Sequence, residues 1–101
     1  MRFEWDPVKS ESNGTKHGIT FERAQLLFDD PFCLTFPVRV VNGEERWHAI
    51  GLIAEIVIIV VVHTYREEDD EEIIRIISAR RATRREMELY AQAIEGSTEG
   101  T

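Results

Sequence analysis

The chain has little of what the easily recognised enzyme classes require. It holds one cysteine, Cys33, and three prolines in 101 residues. A single thiol excludes an internal disulfide and suits a reducing compartment. His17, His48 and His63 lie far apart, and no Cys/His set has zinc-ligand spacing; neither a metal nor a cofactor is expected. A Gly-rich phosphate loop and a Gly-x-Ser-x-Gly elbow are both missing, and no carboxylate pair stands out for glycoside hydrolysis. Cys33 has no evident activating partner. The longest apolar run, Ile56 to Val62, falls well short of the roughly 20 residues that span a bilayer. The opening Met1-Arg2-Phe3-Glu4-Trp5-Asp6 lacks the apolar region of a secretory signal. Positive charge is scarce too: 12 Lys and Arg against 19 Asp and Glu leave a net charge of −7 and a pI near 4.9, which argues against loose binding to nucleic acid. A cytoplasmic protein of bacterial type, without membrane contact, is the simplest inference.

What is present is an ordinary globular composition, 43% hydrophobic and 31% charged, sized for one modest core. We read one domain over residues 1–95 and a frayed tail over 96–101. The charge is uneven. Glu67-Glu68-Asp69-Asp70-Glu71-Glu72 supplies six of the seven net negative charges and reads as a solvated turn. From Arg75 to Arg85 there follow five arginines and no acid. Thr83-x-x-Glu86 is a capping-box pattern, with Thr83 as N-cap. That puts Arg84 and Arg85 in the first helical turn, where cations are disfavoured, and Arg80 and Arg81 just before the cap. Helix N-termini bind phosphate and arginine is its preferred bidentate ligand, so the cluster points to one shared anion. The plainer account is that these arginines are solvated, or paired with Glu86, Glu88 and the acidic run.

Periodicity places the elements. Asp6-Pro7 starts a helix that runs to about Lys16 and ends at His17-Gly18. Thr20 caps a second helix, Phe21 to Phe28, stopped by Asp29-Asp30-Pro31. Four strands follow: Phe32 to Pro37 with an extension over Val38 to Val41, Arg46 to Leu52, Ile56 to Tyr65, and Glu72 to Ala79. Asn42-Gly43 marks the first hairpin, with Glu44-Glu45 suggesting a longer loop. The third strand is apolar on both faces and belongs in the centre of the sheet. A last helix, Arg84 to about Ile94, carries Met87, Tyr90, Ala91 and Ile94 on one face. The fold expected is α+β: two N-terminal helices, a four-stranded antiparallel sheet and a C-terminal helix.

Several side chains invite a role. His63 closes the apolar stretch of the longest strand and titrates near neutrality; a strand-end histidine bonded to backbone is the alternative. Tyr65 and Arg66 follow it. Arg75 interrupts an apolar strand and fits either an edge position or a partner acid. Lys9, Asn13 and Lys16 share one face of the first helix, with His17 beside them, as a second basic patch or as a solvated face.

The blocks Phe3-Glu4-Trp5-Asp6-Pro7-Val8-Lys9, Asn13-Gly14-Thr15-Lys16-His17-Gly18-Ile19-Thr20-Phe21-Glu22-Arg23-Ala24, Phe28-Asp29-Asp30-Pro31, the strand from Glu45-Arg46 to Gly51-Leu52, Val62-His63-Thr64-Tyr65-Arg66 and Ile74-Arg75-Ile76-Ile77-Ser78-Ala79-Arg80-Arg81-Ala82-Thr83-Arg84-Arg85-Glu86 together resemble the BrnT toxin family, in order and to about Tyr90. The resemblance implies a RelE-like fold and an endoribonuclease that slows translation. It also implies neutralisation by a BrnA-type antitoxin with a ribbon-helix-helix domain, so that DNA is met only through the antitoxin. On that basis the expected catalytic set is His63, Tyr65, Arg66, Arg80 and Arg81. Lys9, Lys16, His17, Arg75, Arg84 and Arg85 are expected to hold RNA. The alternative is an antitoxin-binding module, weak or inert in catalysis, within an autorepression complex. The six-acid run departs from the family pattern, and a negative loop near an RNA site opposes binding.

Overall fold

The computed structural model describes residues 1–54 and 57–99. β1 (Arg2–Glu4) leads to α1 (Pro7–His17) and α2 (Phe21–Ala24), which tightens into a 3₁₀ segment over Gln25–Asp29. Then come β2 (Leu34–Val41), β3 (Glu44–Ile53), β4 (Val57–Glu68), β5 (Glu71–Arg81) and α3 (Arg84–Glu99). The sheet order is β1-β5-β4-β3-β2, with β4 central as its apolar pattern requires.

The α+β class stands, but the sheet is five-stranded and mixed rather than four-stranded and antiparallel. The added strand is β1, which pairs parallel to β5 through Arg2↔Ile73, Phe3↔Ile74 and Glu4↔Arg75. Three residues ahead of a proline are too few to show a period. The second helix is also shorter than expected. Its apolar positions Phe21, Ala24 and Leu27 recur every third residue and are fully buried, which suits the three-residue turn of a 3₁₀ helix. Leu27 presses on β3 at Gly51, where a Cβ would lie 2.9 Å from the Leu27 Cγ. α3 continues beyond Ile94 to Glu99; residues 100 and 101 of the expected tail lie outside the described residues, as does the expected strand start Ile56.

The β2–β3 and β4–β5 hairpin turns are tight. Asn42 and Gly43 take positive φ of 52° and 78°, a two-residue turn, so Glu44 and Glu45 belong to β3 and not to a loop. Asp69 and Asp70 do the same at 51° and 64°. The acidic run is therefore mostly strand: Glu67 faces Glu72, and Glu68 faces Glu71.

Helices cover both faces. Ile19, Phe21, Ala24 and Leu27 pack with Ala49, Ile53, Ile59, Val61, Ile74, Ile76 and Ala79 on one side. Tyr90 meets Ile50 and Val60 on the other, with Leu34, Leu52 and Ile94 around them. Asp30 ties these layers together, accepting hydrogen bonds from the Phe32 N–H at 2.9 Å, the Leu52 N–H at 2.8 Å and the Tyr90 hydroxyl at 2.5 Å. Burial pulls the Asp30 pKa upward, but these three bonds outweigh it and hold it below the ordinary value.

α1 is attached mainly by polar contacts. Asp6 caps it, accepting from the Val8 N–H at 2.9 Å, and Gly18 ends it at φ 74°. Its two buried residues are Ser10 and Asn13. The Ser10 hydroxyl accepts from the Phe21 N–H. Asn13 donates to the carbonyls of Ile19 and Ala79 at 2.7 and 2.8 Å and accepts from the Ala79 N–H at 3.3 Å. The amide thus stands in for a neighbouring strand at the part of β5 that β1 does not reach, and Asn13 belongs to the interior rather than to a basic face. Its loss would leave three buried backbone groups unpaired. Asn13→Ala should therefore lower stability by about 2–3 kcal/mol, read from urea unfolding; a loss below about 0.5 kcal/mol would show that the β5 edge is satisfied without it.

Candidate active site

Strand register decides which of the expected residues can meet. On the α3 side of the sheet one cross-strand row runs Leu34, Ile50, Val60, Arg80; the next runs Phe36, His48, Val62, Ser78; a third holds Thr64, Arg75 and Glu4. Between the last two rows β5 carries an extra residue, Ile77, since Val62 pairs with Ser78 and His63 with Ile76. Such a bulge preserves alternation on β4 while shifting it on β5. His63 therefore faces the α1–α2 side together with Trp47 and Ile76, and Arg80 faces the other.

His63 is only 4% exposed. Phe28 stands edge-on to its ring at 5.2 Å. Among the described residues neither ring nitrogen has a hydrogen-bond partner of good geometry. Burial lowers its pKa, and the Thr64 backbone opposes this only in part. Met1, Phe28, Thr35, Trp47, Tyr65 and Ile74 complete an apolar hollow of about 330 Å³ beside it. Tyr65 lies at the hollow's rim, with its pKa raised first by a hydrogen bond to Glu72, so the phenol is not activated as a base.

Arg66 and Arg75, one expected in catalysis and the other on RNA, are both engaged by Glu4. Arg66 grips it through two bonds of 2.9 and 2.8 Å, and Arg75 adds one of 3.3 Å. Glu4 is lowered to about 2, chiefly by the Arg66 bond. These contacts pin β1 to β4 and β5.

The four arginines at the strand-to-helix junction do not converge. β5 extends through Arg81, so adjacent Arg80 and Arg81 point to opposite faces. Arg84 and Arg85 are exposed on α3, Arg85 near Glu88 at 3.9 Å. The capping box forms as read: Glu86 accepts from the Thr83 N–H at 2.8 Å, and the Thr83 hydroxyl accepts from the Glu86 N–H at 3.2 Å. Glu86 also takes a bidentate grip from Arg80 at 2.7 and 2.9 Å, which aims that guanidinium along the α3 side. Lys9, Lys16 and His17 do come together, lining a cleft of about 230 Å³ with Ser12, Ile77 and Ser78.

The residue missed by the sequence reading is His48. It is partly buried, packs against Phe36 with ring centroids 5.9 Å apart, and shares the open face with Arg80. Burial lowers its pKa, with the charges of Arg80 and Arg39 adding to this and Glu86 opposing. From strand spacing the His48 and Arg80 backbones lie about 12 Å apart, and the Arg80 charge is near enough to act on the His48 ring. The Arg46-x-His48-x-Ile50 alternation was visible in the sequence; its register against β5 was not. Among the described residues no cluster of three His, Cys, Asp or Glu side chains is placed to hold a metal ion.

An imidazole of lowered pKa and a guanidinium fixed by a carboxylate thus share one sheet face. Comparison with known proteins supplies the family. Residues 5–86 match the family model of the ribonuclease toxin BrnT of type II toxin–antitoxin systems. The crystal structure of the Brucella abortus ribonuclease toxin BrnT superposes with a TM-score of 0.61 at 27% identity, covering 83% of this chain and 99% of that one. A search of curated proteins finds no match. The chain belongs to the BrnT family of ribonuclease toxins, and an antitoxin partner comes with that membership.

The Glu86 contacts carry a pH signature. Its carboxyl is lowered to about 2, first by the Arg80 hydrogen bond. A depressed carboxylate contributes stability that is full above the unfolded value of about 4.5 and is lost as pH falls toward 2. Glu86→Gln should thus cost about 2 kcal/mol at pH 7 and flatten the stability loss between pH 4.5 and 2 relative to wild type, as followed by urea unfolding across that range. An unchanged slope would place the acid sensitivity elsewhere, with Glu4 next in line.

Proposed function

We propose that this chain is a metal-independent endoribonuclease that slows translation in the cytoplasm and is neutralised by an antitoxin carrying a ribbon-helix-helix domain. The observation that carries this reading is the pairing of His48 and Arg80 on the open face. With its pKa depressed, His48 is neutral at pH 7 and free to accept a proton. It takes the proton of a ribose 2′-hydroxyl; the 2′-oxygen attacks the adjacent phosphorus; and the bond to the 5′-oxygen breaks. The products are a 2′,3′-cyclic phosphate and a strand with a 5′-hydroxyl, whose proton comes from solvent. Arg80 faces the charge that builds on the phosphorane and is already oriented by Glu86, so little reorganisation is needed during reaction. Arginine stays protonated and serves as a ligand, not as a base. His48 thus takes the role first given to His63, which lies buried on the far side of the sheet. Arg84 and Arg85, exposed at the start of α3, flank the path that RNA would follow; Arg81 faces away from it, and Lys9, Lys16 and His17 line their own cleft along α1.

A second reading has its own observation. Arg80 is already held by a carboxylate and the β4–β5 hairpin ends in an acidic tip, features that also suit an antitoxin-binding module with little catalysis. Purified, partner-free protein separates the two. Under the first reading it cleaves RNA in the presence of EDTA and leaves cyclic phosphate ends. Arg80→Ala and His48→Gln each then reduce kcat/KM by about 10²-fold or more. The rate should rise with pH through a pKa below 6.5 and level off by neutrality, and His48→Gln should abolish that limb. Intact RNA after incubation with folded wild type would favour the binding module.

A further inference from the structure

We propose that Arg39 and Arg46 form a second phosphate site, which seats a backbone phosphate about two nucleotides from the one being cleaved. The inference rests on the RNA-binding part of the preceding section. β2 and β3 pair Arg39 directly opposite Arg46, just past the register shift at Pro37. Like charges directly opposed across a strand pair are destabilising, and nothing in the hairpin requires them. Arg39 has no hydrogen bond or ion pair among the described residues. Arg46 has Glu44 near its Nε, at 3.9 Å, too far for a hydrogen bond. That Nε is buried and has no acceptor among the described residues. A guanidinium N–H left so is costly, and two guanidinium groups side by side call for one shared dianion or monoanion with several oxygens.

The position fits a strand of RNA. Arg46 lies two residues before His48 on β3 and therefore on the same face, one row further from Arg80. Arg39 is close enough for its charge to act on His48. One row along a strand is about 7 Å and one strand across about 5 Å, so the Arg39–Arg46 pair lies about 12 Å from the midpoint between His48 and Arg80, the separation of phosphates about two apart in an extended chain. A single strand laid across the open face would place one phosphate between Arg80 and His48 and another, about two nucleotides along, on Arg39 and Arg46. The pair then explains itself: a repulsion in the free protein that is relieved when RNA binds.

The test uses a 2′-O-methyl oligoribonucleotide, which lacks the attacking hydroxyl and so reports binding alone. Fluorescence anisotropy over a range of salt should show Arg39→Gln and Arg46→Met each binding about tenfold more weakly. The slope of log affinity against log salt should fall by about 0.7 for each phosphate no longer neutralised. Arg39→Gln, measured without RNA, should melt about 2–4 °C higher than wild type. A structural arginine would do the reverse, so a lowered Tm for Arg39→Gln overturns the proposal. So does undiminished binding by the folded variants, or a failure of wild type to bind the oligonucleotide. Wild type that binds but leaves natural RNA intact, with binding still dependent on both arginines, sinks the ribonuclease mechanism and sustains this site.

Discussion

Glu86 accepts hydrogen bonds from the Arg80 guanidinium and from the Thr83 N–H together. The last residues of β5, the first turn of α3 and the direction of Arg80 are therefore set by the same carboxylate. Its negative charge near the start of a helix is favourable, and it offsets the less favourable Arg84 and Arg85 beside it. Were the carboxylate absent, the strand would still end at Arg81, but the guanidinium would lose both its orientation and its nearest counter-charge. The orientation of Arg80 is thus built into an ordinary helix start and needs no dedicated loop.

The sheet divides the molecule into two unlike surfaces. On one, α1 and α2 bury the apolar residues and shut His63 away from solvent. On the other, α3 covers Ile50 and Val60 beneath Tyr90 and leaves the Arg80 end of that row and the His48–Val62–Ser78 row partly open. The central strand β4 keeps both faces apolar over Val57 to Val62, so the polar chemistry sits on its neighbours. The acidic residues are carried off to the tip of the β4–β5 ribbon, beyond the ends of β1 and β3. A net charge of −7 thereby coexists with a locally cationic face.

How far the sequence could be read depended on how local each signal was. The caps at Asp6, Thr20 and Thr83, the stop at Gly18, the centrality of β4 and the family all rest on neighbouring residues, and each was legible. β1 was not, because its pairing partner Ile73–Arg75 lies some seventy positions away in the chain. The site was half legible. Arg80 stood out by composition, but its company did not, because one bulge residue, Ile77, determines which side chains share its face. His63 looked exposed at a strand end and proved buried under Phe28, whereas His48, with no local signal between Trp47 and Ala49, proved to be on the open side. Arg75 fitted either an edge position or a partner acid, but that the distant Glu4 would engage both it and Arg66 had no local signal.

The pairing of the first strand with the last has a consequence for synthesis. β1 closes against β5, and Asn13 meets Ala79 across 66 residues, so the β1 end of the sheet cannot be completed from a partial chain. A ribosome has to release nearly all of the protein before Arg80, Glu86 and His48 can occupy one surface. A message broken or stalled upstream of β5 yields only fragments without an assembled site. For a toxin, that ordering confines activity to full-length product and leaves the whole of translation as an interval in which an antitoxin can already be waiting.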